Sequence, residues 1–377
     1  MQKKINIGID ARVLEWQRGA LANFTINLIE KWMNYNDKYN FYLYFQNFIP
    51  DDIFFGKNLN LVIIKGPIFL KKYKVLCEQI LLPRALKKNS IDVFLATIYS
   101  YPFLFFKKKT ILFLWDITFS THKSHYGFIR GNIYHYLSYH SSKNANHIIT
   151  CSKYDLKIIS KVYNIKNKIS YIDLPSGSNF NFINDDNLKK KFIAKYQIPS
   201  EYFLSLGVIY NRRNIDKLIK AIELINSKNT KKINLVLVGY DATNPKLNIE
   251  DIISKTACKN NIFYFTFFPQ VDLNKLYSFS LSYICTSIND GESIMLKEAT
   301  MSGTSVITNK LLSSSVNNSC FLIDNPNETN SWVTGLNFAY TNISHRGKLN
   351  IEAHKYVKNL TWSNVINQIE DKIIKIL

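Results

Sequence analysis

The stretch Tyr202-Phe203-Leu204-Ser205-Leu206-Gly207-Val208-Ile209-Tyr210-Asn211-Arg212-Arg213-Asn214 reads as a short buried strand, a glycine exit and a basic loop. Helical periodicity takes over at 215–227, so the segment is a strand–loop–helix unit. Outward from it, further short strands are expected at 233–239, 263–268, 283–286 and 305–308. Upstream, strands are expected at 5–10, 40–45, 60–64, 91–96, 110–115 and 147–150, with helices at 23–32, 77–88 and 154–162 between them. Strand and helix in alternation predict an α/β chain of parallel sheets covered by helices on both faces. The turn-rich break Leu174-Pro175-Ser176-Gly177-Ser178-Asn179 separates the two series. Two doubly wound domains follow, the first ending at 177, with a ligand cleft where their strand C-termini face each other.

Composition narrows the function classes. The 377 residues are 46% hydrophobic and 14% aromatic, which excludes disorder, collagen-like repeats and a disulfide-stapled miniprotein. Lys+Arg number 48 against 28 Asp+Glu, a formal charge of +20, which predicts an anionic partner such as nucleic acid, a phosphorylated substrate or a membrane surface. The excess is uneven: residues 1–177 hold 25 Lys/Arg and 11 Asp/Glu, and the remainder 23 and 17. Basic runs such as Lys71-Lys72-Tyr73-Lys74, Lys87-Lys88 and Phe105-Phe106-Lys107-Lys108-Lys109 suit a solvated face or an anionic bilayer. Cys77, Cys151, Cys258, Cys285 and Cys320 are scattered and form no C-x-x-C pair, so they read as buried thiols in a reducing compartment. The N-terminus shows no signal-peptide pattern and no apolar stretch reaches membrane-span length, so a cytoplasmic protein is expected.

No two of the 13 glycines lie two residues apart, so a G-x-G-x-x-G fingerprint and a Walker loop are both absent. There is no D-x-D, and His122 and His125 lack the carboxylates or thiols that would complete a metal site. Arg212 and Arg213, at the start of a helix, can form an anion site from their charge and the helix N–H groups. A pair of exposed loop arginines is the plainer reading. In Asp290-Gly291-Glu292-Ser293-Ile294-Met295-Leu296-Lys297-Glu298, two acids lie eight residues apart and can hold several hydroxyls of a sugar or ribose. Acids favouring a helix N-terminus explain the same pattern equally well.

Taken in order, these motifs resemble those of the retaining nucleotide-sugar glycosyltransferases of glycosyltransferase family 4, nearly end to end. Ile7-Gly8-Ile9-Asp10-Ala11-Arg12 looks like the family's opening strand and loop. Glu78-Gln79-Ile80-Leu81-Leu82-Pro83-Arg84-Ala85-Leu86 is similar to its E-Q-x-x-L-P-R-A-L helix. Gly207–Asn214 resembles G-x-x-x-P-R-K-N, Asp290–Glu298 the E-G-x-x-x-x-x-x-E signature, and Met301-Ser302-Gly303-Thr304-Ser305-Val306-Ile307 the strand entry after it. The resemblance implies the GT-B fold: an acceptor domain at 1–177, a donor domain at 178–360, and a helix at 361–377, opened by Thr361-Trp362-Ser363, that returns to the first domain.

The resemblance also implies roles. Arg212 and Arg213 would bind the donor diphosphate, Glu298 the ribose and Asp290 the transferred sugar. Gly207, Gly239, Gly291, Glu292, Ser293 and Ile294 would complete the donor site. Asp10, Arg18, Gly19 and Trp115 would face the acceptor, and Asp116 would join Arg212, Arg213 and Asp290 in catalysis. Transfer would proceed by same-face displacement with no metal and no other cofactor. The implied partners are a nucleotide-diphosphate sugar, a polyprenyl-diphosphate-linked surface glycan of O-antigen or capsule type, and the inner face of the cytoplasmic membrane, with no nucleic acid. Several positions depart from the family: Asp290 stands for its glutamate, Arg213 for its lysine, Ala20-Leu21-Ala22-Asn23-Phe24 for its glycine-rich loop, and Trp115 for its histidine. Rival readings are a nucleotide-sugar epimerase of related fold, a basic nucleic-acid- or membrane-binding protein, and a scaffold that binds donor without turnover.

Overall fold

The computed structural model describes residues 4–16, 20–33, 38–51, 59–104, 106–121, 126–177, 180–288 and 293–377. The chain divides into two units, Met1–Leu174 with Thr361–Leu377, and Pro175–Leu360.

The first unit holds seven parallel strands among its described residues: β1 (Ile5–Asp10), β2 (Tyr39–Phe45), β3 (Leu59–Ile63), β4 (Val93–Ala96), β5 (Lys109–Phe113), β6 (His147–Thr150) and β7 (Ile169–Tyr171). Their order is β3-β2-β1-β4-β5-β6-β7, so the direction of winding reverses between β1 and β4. Strand β1 shows why a parallel sheet forms here. Ile7, Gly8, Ile9 and Asp10 are all buried, and the strand pairs with β2 from Ile5↔Tyr39 to Asp10↔Tyr44. Helix α1 (Ala20–Met33) leads from β1 to β2, and a short helix, α2 (Ile68–Lys72), follows β3. Helix α3 (Phe128–Asn144) lies between β5 and β6.

The second unit repeats the design with β8 (Phe203–Leu206), β9 (Leu235–Val238), β10 (Ile262–Phe265), β11 (Ser282–Ile284), β12 (Val306–Asn309) and β13 (Phe321–Ile323). Their order is β10-β9-β8-β11-β12-β13, every neighbouring pair parallel. Helix α4 (Ile215–Lys228) buries Ile215, Leu218, Ile219, Ile222 and Ile225, one stripe of a 3.6-residue period laid on the sheet. Helices α5 (Leu273–Ser278) and α6 (Ile294–Met301) flank β11 in sequence.

The last helix, α7 (Trp362–Ile376), belongs to the first unit. It buries Val365, Ile366, Ile369 and Ile373, packs its Trp362 ring 5.7 Å from Phe24 of α1, and accepts a 2.7 Å hydrogen bond from Trp32 Nε1 on Glu370.

The expected doubly wound parallel sheets are present, with local differences. The strand expected at 91–96 begins at Val93, because Asp92 turns back to bond the Asn6 backbone N–H. The helix expected at 77–88 starts earlier, at Lys74, and opens into a π-turn at Cys77–Leu81, which buries Glu78 and Gln79. Strands β7 and β13 and helix α3 had no sequence signal of their own. The strands are only three residues long, and α3 buries Gly131, Ser138, Ser141 and Ser142, which hydropathy does not mark as core.

Candidate functional site

In a doubly wound sheet the loops at the winding reversal diverge to opposite faces and leave a crevice at the strand C-termini. In the second unit that point lies between β8 and β11, and Gly207–Asn214 is the loop leaving β8. Gly207 has φ +121, and a Cβ there would lie 2.6 Å from Arg213 Nη1. Gly239, at the end of β9 with φ +145, would place a Cβ 2.1 Å from the Gly207 carbonyl oxygen. Only glycine allows these two strand ends to meet with the arginine folded over them.

Arg213 is buried, and its Nη1 donates to the Leu206 carbonyl at 2.8 Å, an oxygen that also accepts the Tyr283 hydroxyl at 3.1 Å. Its Nη2 lies 3.9 Å from Met295 Sδ on α6. Arg212 is half-buried over the Tyr210 ring, 4.6 Å from its centroid, and its carbonyl accepts the Ile288 N–H from the chain leaving β11 at 2.8 Å. The two arms of the crevice are thus joined by backbone. Asn214 takes the left-handed conformation (φ 45, ψ 38) and gives its side-chain amide to Pro326 O and Asn327 Oδ1, leaving the N-terminus of α4 without a side-chain cap. An uncapped helix N-terminus beside two guanidinium groups is an anion-binding arrangement.

Ser293 and Ile294 open α6, which likewise has no side-chain cap. Glu298 follows one turn later, half-buried, with Oε2 accepting the Tyr277 hydroxyl of α5 at 3.2 Å. Burial pushes the Glu298 carboxyl up to about 7, against the hydrogen bond, which pulls it down. Burial and the neighbouring carboxylate both push the Tyr277 hydroxyl well above its ordinary range, so it stays a donor. The two uncapped helix starts and the Glu298 carboxyl therefore offer donors for an anion and an acceptor for hydroxyls within one unit.

Asp290, Gly291 and Glu292, together with Arg18, Gly19, His122 and His125, lie outside the described residues. In the first unit, Asp10 ends β1 fully buried, with both carboxylate oxygens taken by Arg12 at 2.8 and 2.6 Å. Arg12 Nη2 also reaches Glu78 Oε2 at 2.8 Å, and Ser100 and Gln79 bond the other Glu78 oxygen. Burial opposes the Arg12 charge, but the two carboxylates outweigh it and hold the guanidinium more basic than usual. Trp115 gives its one donor, Nε1, to Thr97 O at 2.9 Å and packs edge-on against Phe24 at 4.5 Å. Asp116 accepts from Thr118 N at 2.7 Å and from the Tyr99 hydroxyl at 3.1 Å.

Tyr277 and the Arg12–Glu78 pair were not anticipated as site residues. Glu78 and Gln79 did stand in a motif, but nothing in their spacing to Arg12 announced the contact. Among the described residues no cluster of three or more His, Cys, Asp and Glu side chains could hold a metal ion.

Residues 188–354 match the family model described as Glycosyl transferases group 1. The matched segment lies within the second unit, Pro175–Leu360. Arg212, Arg213, Tyr277 and Glu298 all lie within that matched segment. The chain is 27% identical over 214 residues to a Salmonella typhimurium protein named O-antigen chain mannosyltransferase RfbU, covering 55% of each. It spans about half the length of the curated relatives it matches. Among solved structures, sucrose-phosphate synthase from Thermosynechococcus elongatus superposes with a TM-score of 0.78 at 12% identity, covering 98% of both chains. Anabaena Alr3699/HepE in complex with UDP-glucose superposes with a TM-score of 0.73 at 12% identity, covering 98% of this chain and 100% of that one. These likenesses show the fold: GT-B, with two Rossmann-like domains.

Proposed function

We propose that the chain is a retaining glycosyltransferase that moves a hexose from a nucleotide-diphosphate sugar to a growing, polyprenyl-diphosphate-linked surface glycan. The observation that carries this reading is the crevice at the β8/β11 reversal, where Arg212, Arg213 and the uncapped N-terminus of α4 collect positive charge and Arg213 reaches Met295 on the helix that carries Glu298. The group 1 domain match and the named O-antigen relative support the same activity and the same product class.

In this reading the donor diphosphate lies against the two guanidinium groups and the helix N–H groups. As the glycosidic bond breaks, negative charge accumulates on the leaving phosphate, and fixed positive groups stabilise it where it develops. The ionised Glu298 carboxylate accepts the ribose hydroxyls, and Asp290 takes the hydroxyls of the transferred sugar. The acceptor hydroxyl attacks from the face the nucleotide leaves, and the leaving phosphate takes its proton. Trp115 and Asp116 line the acceptor side, Trp115 as an apolar wall, since an indole whose single donor is engaged has no proton to exchange. Asp10, expected to face the acceptor, is instead fully buried and holds Arg12. Arginine charge takes the place of a metal, so turnover is expected to survive chelation by EDTA.

Thermal-shift screening against UDP-, GDP- and dTDP-sugars tests the donor site, starting with those that carry mannose. A ligand at about a hundred times its Kd stabilises the folded state by about 2.7 kcal/mol. Arg212→Ala and Glu298→Ala are expected to abolish the shift and the transfer, and retention of both would refute the assignment. Turnover of the donor with no acceptor present would favour an epimerase instead.

A further inference from the structure

The turn-rich break between the two strand series does more than join them. Pro175 opens the second unit, and Gly177 and the run Phe180–Ile183 lie against the helices that carry Tyr277 and Glu298. Ser178 and Asn179 lie outside the described residues. Phe180 is buried, and its ring meets that of Tyr277 edge-on at 5.8 Å. Asn181 and Asn274 of α5 exchange hydrogen bonds: Asn181 N–H donates to Asn274 Oδ1 at 3.2 Å, and Asn274 Nδ2 to Asn181 Oδ1 at 3.0 Å. The same Asn274 Oδ1 accepts the Ser302 hydroxyl, from just past α6, at 2.8 Å. Phe182 lies on Gly303, where a Cβ would come within 2.2 Å of its ring. A connecting segment ordinarily runs over the surface without anchorage of this kind.

Gly177 adjoins the carboxylate itself. A Cβ built there would lie 3.8 Å from Glu298 Oε1, and 3.0 and 3.2 Å from two carbons of the Phe180 ring. Its backbone is outside the left-handed region, so conformation does not call for glycine; the space does. A methyl group would fill the gap between ring and carboxylate, and a larger side chain would bring further atoms into the same space. The Tyr277 hydroxyl sits on the other carboxylate oxygen, Oε2.

We propose that Gly177 is a specificity-determining position of the donor site, which keeps the space beside Glu298 Oε1 open for a ribose bearing both its 2′ and 3′ hydroxyls. Phe180 is a positioning residue, which holds Tyr277 against the carboxylate. The substrate class that follows is a ribonucleoside-diphosphate sugar, UDP- or GDP-linked, in preference to a dTDP-sugar. The reason is that one carboxylate can accept from two adjacent hydroxyls, and deoxyribose offers only one. The proposal rests on the reading of Glu298 as the ribose group and adds the residues that shape its surroundings. Tyr277 is the titratable group that bears on Glu298, and Tyr283 and Arg213 act on Tyr277 in turn.

The test is titration calorimetry of the full chain above neutrality, where Glu298 is ionised, with UDP, GDP and their 2′-deoxy counterparts. Wild type is expected to prefer UDP or GDP over its 2′-deoxy form by about tenfold. Gly177→Val should weaken the ribonucleotide by about tenfold and shrink that preference, because it crowds the hydroxyls that the deoxy form lacks in part. A merely misfolded variant loses both forms in proportion and betrays itself in its melting temperature. A second measurement needs no nucleotide. Burial outweighs the Tyr277 bond at Glu298, so Phe180→Ala, which lets water in beside Tyr277, should lower the Glu298 midpoint from about 7, read by carbon NMR of the carboxyl. Phe180→Leu should restore it.

Three results would each overturn the proposal while leaving a nucleotide site in place. They are a Gly177→Val chain that keeps both affinity and preference, a Glu298 midpoint unmoved by Phe180→Ala, and a wild type that binds the 2′-deoxy forms as tightly. If wild type binds no nucleotide at all, the donor reading fails and the proposal with it.

Discussion

The Glu298 carboxyl has an ordinary value near 4.5 and in the fold is pushed up to about 7 by burial. Between those values the folded chain holds a proton that the unfolded chain has released. This group's contribution to stability is therefore complete below 4.5 and is lost as pH rises through about 7. In the proposed donor site, where Glu298 takes the ribose, binding runs the other way, since only the ionised form accepts two hydroxyls, so nucleotide affinity is expected to rise through the same interval. Calorimetric titration between pH 5.5 and 8, about the range where the group titrates, checks this, and Glu298→Gln should flatten the profile and weaken binding above neutrality about tenfold. Tyr277→Phe removes the hydrogen bond that lowers the carboxyl, so the midpoint should move to higher pH. In the first unit, Arg12→Met strands two buried carboxylates, and denaturant unfolding should show a loss of about 3–5 kcal/mol. Glu298 was legible as half of a spaced acid pair. Tyr277 was not, because its link to Glu298 crosses 21 residues and two helices.

At the scale of elements, α7 shows a terminal helix held by its apolar stripe. Ile369 is fully buried, and Ile369→Ala should destabilise the first unit by about 2–4 kcal/mol in a denaturant melt. Thr361 caps the same helix by accepting from Asn364 N–H, and Thr361→Ala should cost about 1 kcal/mol. Helix α4 could be read from sequence because it buries what hydropathy marks, whereas α7 was expected only from the family resemblance. Helix α3 could not, since small polar residues pack inward and the apolar ones face out. The π-turn at Cys77–Leu81 was equally silent: it shifts Glu78 into contact with Arg12, and helical periodicity has no signature for one inserted residue.

For the whole molecule, two sheets wound in the same manner place the basic loop after β8 and the helix of Glu298 in one unit, Pro175–Leu360. A donor nucleotide should therefore raise the unfolding transition of that unit in scanning calorimetry, by about 2.7 kcal/mol at a hundredfold excess over Kd, and Glu298→Ala should remove the increase. The sequence by itself determined the alternation of strands and helices, the break near Pro175 and the basic excess of the first half. Each of these is a local property, set by periodicity, turn chemistry or charge within a few residues. The tertiary structure alone decided the strand order, the contact of Arg12 with Glu78, the burial that raises the Glu298 carboxyl and the outward stripe on α3. These depend on which distant segments exclude water from one another, and no local pattern records that.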